Sequence, residues 1–408
     1  MAELAHPLIV PLPRLVPPSG HALRWAAMSR LRRTWRAGRL DLVLPSGELV
    51  ELGEREGTAP APRARIHDDR FFLRMLLRGE IGAGESFVAG EWSADDLVAV
   101  LRVFLRGTGA RGFESPITWL AQLPALLRHR RAANTRTGSD RNIHAHYDLG
   151  NRFYELFLDR ESMSYSCAIW RGDLESSQRA KHERLCELLE LSASDHLLEI
   201  GCGWGGMAIH AASTRRCRVT AITISREQQA LATARVQAAG VTDRVNVELV
   251  DYRDLTGTYS KLVSIEMIEA VGHEYLSGYF ATCDRVLGPG GRAAIQTIAM
   301  PDDRYDSYRA SVDWMQTYIF PGSCIPSLGA IGDALATTQL RIARADDIGP
   351  DYAPTLRAWR ERFIAAQPEV SALGFDAPFV RTWLLYLAFS EAAFAERTLA
   401  DVQLVLAR

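Results

Sequence analysis

At 408 residues the chain exceeds one ordinary domain of about 100–200 residues, so two domains are expected. Hydrophobic residues make up 47% and charged residues 24%, as in a folded protein and unlike a disordered, collagen-like or disulfide-stapled one. A formal charge of −2 excludes a generally basic polyanion binder, and no nucleic-acid partner is expected.

The charge is unevenly spread. Residues 1–150 carry 21 Lys and Arg against 16 Asp and Glu, a surplus of +5, which leaves −7 for the remainder. Within the front, Arg24, Arg30, Arg32, Arg33, Arg36 and Arg39 occur without an acid between them, interleaved with Trp25, Leu31 and Trp35. Rings settle at headgroup depth and guanidinium meets phosphate, so this stretch suits an anionic lipid interface. It equally suits a solvated helix packed on its Trp side. Alternation over residues 40–52 around Pro45-Ser46-Gly47 predicts a hairpin, and residues 71–105 turn helical. A polar, basic stretch after Leu127 marks a linker over 128–141, giving a front domain of 1–127 and a second domain of 142–408.

The first residues are too short and too broken by proline for a signal peptide. The longest apolar run, from Trp383 to Phe389, is soon interrupted by Glu391 and is too short to span a bilayer. The six cysteines form no C-x-x-C pair, so reduced thiols and no metal site are expected. These features predict a soluble, cytoplasmic protein that touches membranes at most peripherally.

In the second domain, strand-like runs at 196–200, 219–224, 245–250, 262–268 and 292–298 alternate with stretches of helical length. Residues 382–397 read as an amphipathic helix and 402–406 as a last strand. This is the pattern of a doubly wound α/β sheet. The first strand runs into Glu199-Ile200-Gly201-Cys202-Gly203-Trp204-Gly205-Gly206, where glycines let the backbone turn sharply and approach a ligand at a helix N-terminus. Glu199 just before the loop, and a second strand ending Thr223-Ile224-Ser225 without a carboxylate, count against NAD and for S-adenosylmethionine. Asp251-Tyr252-Arg253-Asp254 follows the third strand, where a ring can stack on adenine; Asp251 also suits a helix N-cap.

His146-Tyr147-Asp148-Leu149-Gly150-Asn151, Tyr165-Ser166-Cys167-Ala168, the loop Gly201-Cys202-Gly203-Trp204-Gly205-Gly206, Ile268-Glu269-Ala270-Val271-Gly272-His273 and Tyr318-Ile319-Phe320-Pro321-Gly322 together resemble the cyclopropane-fatty-acyl-phospholipid synthase family. The resemblance implies a Rossmann-like class I methyltransferase domain with a smaller, mainly helical N-terminal domain. It also implies transfer of a methylene or methyl group from S-adenosylmethionine to the double bond of an unsaturated phospholipid in the membrane. The resulting carbocation would lose a proton to bound bicarbonate, and a homodimer and docking at the inner membrane face through the front domain would follow. Carried over by residue, Glu269, Tyr352 and the Cys167 region resemble the bicarbonate pocket, and Tyr165-Ser166 resembles a cofactor lid. Gly201, Gly203 and Gly205 form the cofactor loop, and Thr223, Gln228, Tyr252 and Arg253 fall at adenosine contacts. Plainer roles also fit: Glu269 as a helix cap, Tyr352 as a packed loop aromatic, Cys167 as an inert buried thiol.

The chain departs from the family at two places. The usual strand-end His-Thr-Ile is Gln296-Thr297-Ile298, where glutamine still hydrogen-bonds an anion but carries no positive charge. A common cysteine before the last strand is Ser390, which cannot act as a thiol nucleophile. A methyltransferase acting on soluble small molecules shares the same cofactor loop, and a non-enzymatic lipid-binding protein is the remaining alternative.

Overall fold

The computed structural model describes residues 20–54, 60–108, 126, 134, 138 and 149–408. His146, Tyr147, Asp148 and most of the expected linker lie outside the described residues. Two compact units result, and they do not follow one cut in the chain: Ser311–Pro321 and Phe375–Glu396 cluster with Met1–Arg130, and the rest forms the second unit.

In the first unit the expected hairpin pairs β1 (Leu40–Val43) with β2 (Leu49–Leu52), and β3 (Arg63–Ile66) and β4 (Trp92–Ala94) extend it to a sheet of order β2-β1-β3-β4. The helical stretch over 71–105 is divided by β4 into helices Arg70–Val88 and Leu97–Thr108, against which the late helix Ala377–Ala395 packs. Helix Gly20–Thr34 buries Leu23, Ala27 and Leu31, one stripe at four-residue spacing. That packing decides which interface residues stay outside. Trp25 is 74% exposed, and Arg32, Arg33 and Arg36 are exposed too. Leu31 faces the core, Arg24 is paired with Asp69 at 2.7 Å, and Arg39 with Asp41 at 2.9 Å. Trp35, which the sequence leaves open between a lipid surface and a packed face, donates its indole N–H to Gly38 O at 2.7 Å. A Cβ on Gly107 would come within 2.6 Å of its ring, so glycine there lets Trp35 pack inward.

The second unit carries a seven-stranded sheet of order β10-β11-β9-β8-β5-β6-β7. β5 (His196–Ile200), β6 (Arg218–Thr223), β7 (Val245–Leu249), β8 (Tyr259–Ile265) and β9 (Leu287–Ala299) run parallel, while β11 (Ala400–Ala407) is antiparallel to both β9 and β10 (Arg341–Asp347). Successive residues of the central strands serve opposite faces, as the pleat requires. Leu198 and Leu262 join Tyr279 and Phe280 on one face, and Leu197 and Val263 join Leu185 and Met207 on the other. Burial on both faces is why these strands read as apolar runs.

Candidate active site

The chain leaves β5 toward β6 and later returns to β8 on the other side of β5, so the crossovers diverge between β5 and β8 and a crevice opens at their carboxyl ends. A cavity lies there, lined by Glu199 at the end of β5 and Gly201, Gly203 and Trp204 after it, Thr223 at the end of β6 and Gln228 after it, Tyr252 and Arg253 after β7, and Glu266 and Met267 after β8. Tyr165, Ser166 and Lys181 complete it. Gly201 has φ +81°, and a Cβ on it would stand 2.7 Å from Met267 Cγ. Gly205 lies beneath, at the N-cap of helix Gly206–Arg215, with φ +82°.

On the cofactor side, the Glu199 side chain is buried and its Oε2 has no partner among the described residues. Burial pushes this carboxyl up to about 8, since no cation bonds it. Thr223 donates its hydroxyl to Gln228 Oε1 at 2.7 Å, so the two predicted contacts form one unit. Asp251 both accepts Arg253 N–H as a cap at 2.9 Å and binds the Arg253 guanidinium, which lies 5.4 Å from the Tyr252 ring centroid. The cap and the lining role of this segment therefore coexist.

The segment predicted as a lid is pinned from several sides. Asp159 accepts from Ser162 N–H and Ser164 N–H, Gln178 donates to Ser166 O at 2.9 Å, and buried Lys181 donates to Ser166 Oγ at 2.6 Å. Burial lowers the Lys181 pKa, an effect opposed by Glu266. Tyr165 sits among Tyr154, Phe157 and Trp359, with ring centroids 5.3–6.3 Å away.

Three of the four predicted catalytic residues converge on Glu266, which no sequence motif marks. Glu266 Oε1 accepts from Cys167 N–H at 2.7 Å and from Gln296 Nε2 at 2.9 Å, and Oε2 accepts from the Tyr352 hydroxyl at 2.6 Å. It is the backbone of Cys167 that takes part; burial raises its thiol pKa well above the ordinary range. The orientation of Gln296 is fixed by a one-way chain. Arg184, which can only donate, bonds Gln403 Oε1 at 2.9 Å, and Gln403 Nε2 donates to Gln296 Oε1 at 3.0 Å. Gln296 Nε2 is thereby turned toward Glu266, and toward Asp401 Oδ2 at 3.3 Å. Asp401 is fully buried, and burial with Glu266 nearby holds its pKa well above the carboxylate range.

The fourth, Glu269, stands apart from these bonds. Its Oε1 accepts from Thr297 Oγ1 at 2.9 Å and Ile298 N–H at 2.6 Å, while its Oε2 is buried without a partner among the described residues. Burial, reinforced by Glu266, pushes it up to about 8. Glu266 has φ +45°, a left-handed conformation rare for a side chain other than glycine. The apolar run over 262–268 reads as strand throughout and hides Glu266; β8 ends at Ile265 and Glu266 is the first residue past it.

A parallel sheet with a glycine loop after β5, and a cavity across the divergence of its crossovers, define a Rossmann-like methyltransferase domain. The chain also matches the family model described as mycolic acid cyclopropane synthetase over residues 134–404, and it belongs to that family. It is similar to a tuberculostearic acid methyltransferase of Mycobacterium tuberculosis, 41% identical over 390 residues, covering 93% of this chain and 90% of that one. It is similar as well to the cyclopropane-fatty-acyl-phospholipid synthase of Escherichia coli K12, 36% identical over 357 residues, covering 86% and 89%. Among solved structures, the cyclopropane synthase MmaA2 of Mycobacterium tuberculosis superposes with a TM-score of 0.61 at 27% identity, covering 66% of this chain and 98% of that one. The mycolic acid cyclopropane synthase CmaA1 complexed with SAH and CTAB gives 0.61 at 26% identity, with the same coverage. The chain is an S-adenosylmethionine-dependent methyltransferase of the cyclopropane and methyl fatty acid synthase type.

Proposed function

We propose that the protein transfers a one-carbon unit from S-adenosylmethionine to the double bond of an unsaturated phospholipid acyl chain, giving a cyclopropane or a methyl- or methylene-branched chain. The observation that carries this reading is a single cavity that runs from the glycine loop to an anchored carboxylate at the end of β8. Bound S-adenosylmethionine supplies an electrophilic sulfonium methyl group. The glycine loop lets backbone approach the cofactor, the open Oε2 of Glu199 accepts from its ammonium or hydroxyl donors, and Thr223, Gln228 and Tyr252 hold the adenosine. Arg253 braces that end through Asp251.

An alkene is a weak nucleophile, so the acceptor must be held in line in a dry slot. Met163, Met267 and Val271 form apolar wall, and the Tyr165 ring offers a negative face to a developing cation. As the alkene pair forms the new C–C bond and the S–CH3 bond breaks, a carbocation remains. Loss of a proton from the transferred carbon closes a ring; loss from a neighbouring chain carbon leaves an alkene. The bicarbonate implied as proton acceptor calls on Glu269, Tyr352 and the Cys167 region, with Gln296 as a further donor. Glu269 keeps an open Oε2, but the Cys167 N–H, the Gln296 amide and the Tyr352 hydroxyl are all bonded to Glu266, so three of the four groups are taken and the set does not fit a free bicarbonate.

Incubation with S-adenosylmethionine and vesicles of unsaturated phospholipid, followed by mass spectrometry of the fatty esters, should show a gain of one CH2; no gain on any lipid overturns the reading. We assign the first unit to peripheral docking at an anionic inner membrane face, on the strength of exposed Trp25, Arg32, Arg33 and Arg36. Replacing Arg30, Arg32, Arg33 and Arg36 with Glu should cut pelleting with anionic vesicles by about a hundredfold or more, at about 1 kcal/mol per basic side chain. Cofactor affinity should be unchanged, and unchanged pelleting overturns the assignment.

A further inference from the structure

We infer that the carboxylate of Glu266 is itself the proton acceptor of the reaction, a base built into the chain where a bound anion would otherwise be needed. The inference rests on the lipid-modifying reading above.

Position is the first support. Glu266 lines the cavity, and the donors that orient it, the Cys167 N–H, the Gln296 amide and the Tyr352 hydroxyl, are buried. Each donor is neutral, so the carboxylate is held in place without being neutralised by a bonded cation. Burial beside Glu266 raises the Asp401 pKa, and buried Lys181 is bonded to Ser166 Oγ at 2.6 Å. A second, free anion among these acidic groups would meet like-charge repulsion. Backbone conformation is a further support. A glutamate at φ +45° is strained where glycine is not, and such strain persists at sites where the side chain has a use.

The residue at 296 agrees with this assignment. A neutral amide, turned toward Glu266 by the Arg184–Gln403 chain, suits a tethered carboxylate that must stay anionic. The proton released by a carbocation is very acidic, so a carboxylate with three hydrogen bonds is basic enough, and placement decides the rate. In the step, the C–H electron pair forms the third ring bond or the new double bond, and the proton moves to a Glu266 oxygen and then to water.

The test uses the full chain with unsaturated phosphatidylglycerol vesicles, in buffer stripped of carbon dioxide and in buffer with added bicarbonate. Wild-type turnover, which by itself tests the underlying reading, is expected to be equal in both. E266Q should lower kcat by roughly 10²- to 10⁴-fold with an unchanged cofactor Kd, the range for loss of a positioned base. E266G, which accepts the backbone conformation without strain and frees the three donors, should regain turnover when bicarbonate is added. Binding of ¹³C-labelled bicarbonate followed by NMR decides the same question whatever acceptor the enzyme uses: none is expected for wild type, and binding is expected for E266G. Wild-type turnover that requires bicarbonate, wild-type binding of labelled bicarbonate, or an active E266Q overturns the inference.

Discussion

β5 and β8 lie side by side and reach the same edge of the sheet with a glutamate each, yet the two carboxylates are held in opposite ways. Glu199, within β5, is buried with one oxygen unpartnered among the described residues and is pushed up to about 8. Glu266, just past β8, has both oxygens bonded to neutral donors. An unsatisfied buried carboxylate is costly until a ligand brings donors to it, whereas one with both oxygens bonded is already held in place before anything binds. One edge of the cavity therefore keeps an open acceptor, and the other a carboxylate whose two oxygens are already bonded.

The sharpest way to break this contrast is at Glu199. E199Q should weaken S-adenosylmethionine binding by roughly 10- to 100-fold, the loss of a hydrogen bond to a charged group, as read by calorimetry. An unchanged Kd would show that the open oxygen is not for the cofactor. A smaller effect is expected at the other edge. Y352F removes one of the three donors to Glu266 and should lower kcat by about tenfold while leaving cofactor affinity alone. A change in affinity with no change in kcat would place Tyr352 on the wrong side of the comparison.

The smallest effect concerns stability. Glu199 and Glu269 both move from 4.5 to about 8 on folding, so the folded state binds their protons more tightly. Their contribution is fully present below about pH 4.5 and is lost as pH rises toward 8. The unliganded protein should lose thermal stability across that window, and E199Q should recover a few degrees at pH 8, measured by calorimetry. Identical pH slopes for wild type and E199Q would contradict the buried, neutral state of Glu199.

Much of the frame was legible in the sequence because its signals are local. The apolar runs of β5, β6 and β7 and the glycines that follow β5 are patterns of neighbouring residues, and the structure keeps them within a residue or two. Thr223 and the Tyr252-Arg253 pair were legible as positions at or just past strand ends that line the cavity, whereas Gln228, in the first turn of helix Arg226–Ala238, came only from the family resemblance. Glu266 was not, because an acidic residue between Ile265 and Met267 reads as part of the run, and a left-handed φ leaves no mark on composition. Helix Ala377–Ala395 shows the same limit in packing. Its apolar face announces burial, but only the fold places it against helices Arg70–Val88 and Leu97–Thr108, nearly three hundred residues earlier in the chain.

The sequence by itself determined a doubly wound domain, its glycine loop, the family it resembles and the uneven charge of +5 and −7. Only the tertiary structure decided which carboxylate the donors of Cys167, Gln296 and Tyr352 serve. Cys167, Glu266, Gln296 and Tyr352 come from four separate segments, and Gln296 is aimed by Gln403 and Arg184 across the sheet. Hydrogen bonds depend on distance and direction in space, which residue order constrains only within an element, so the convergence on Glu266 emerged when the strands were brought to one edge.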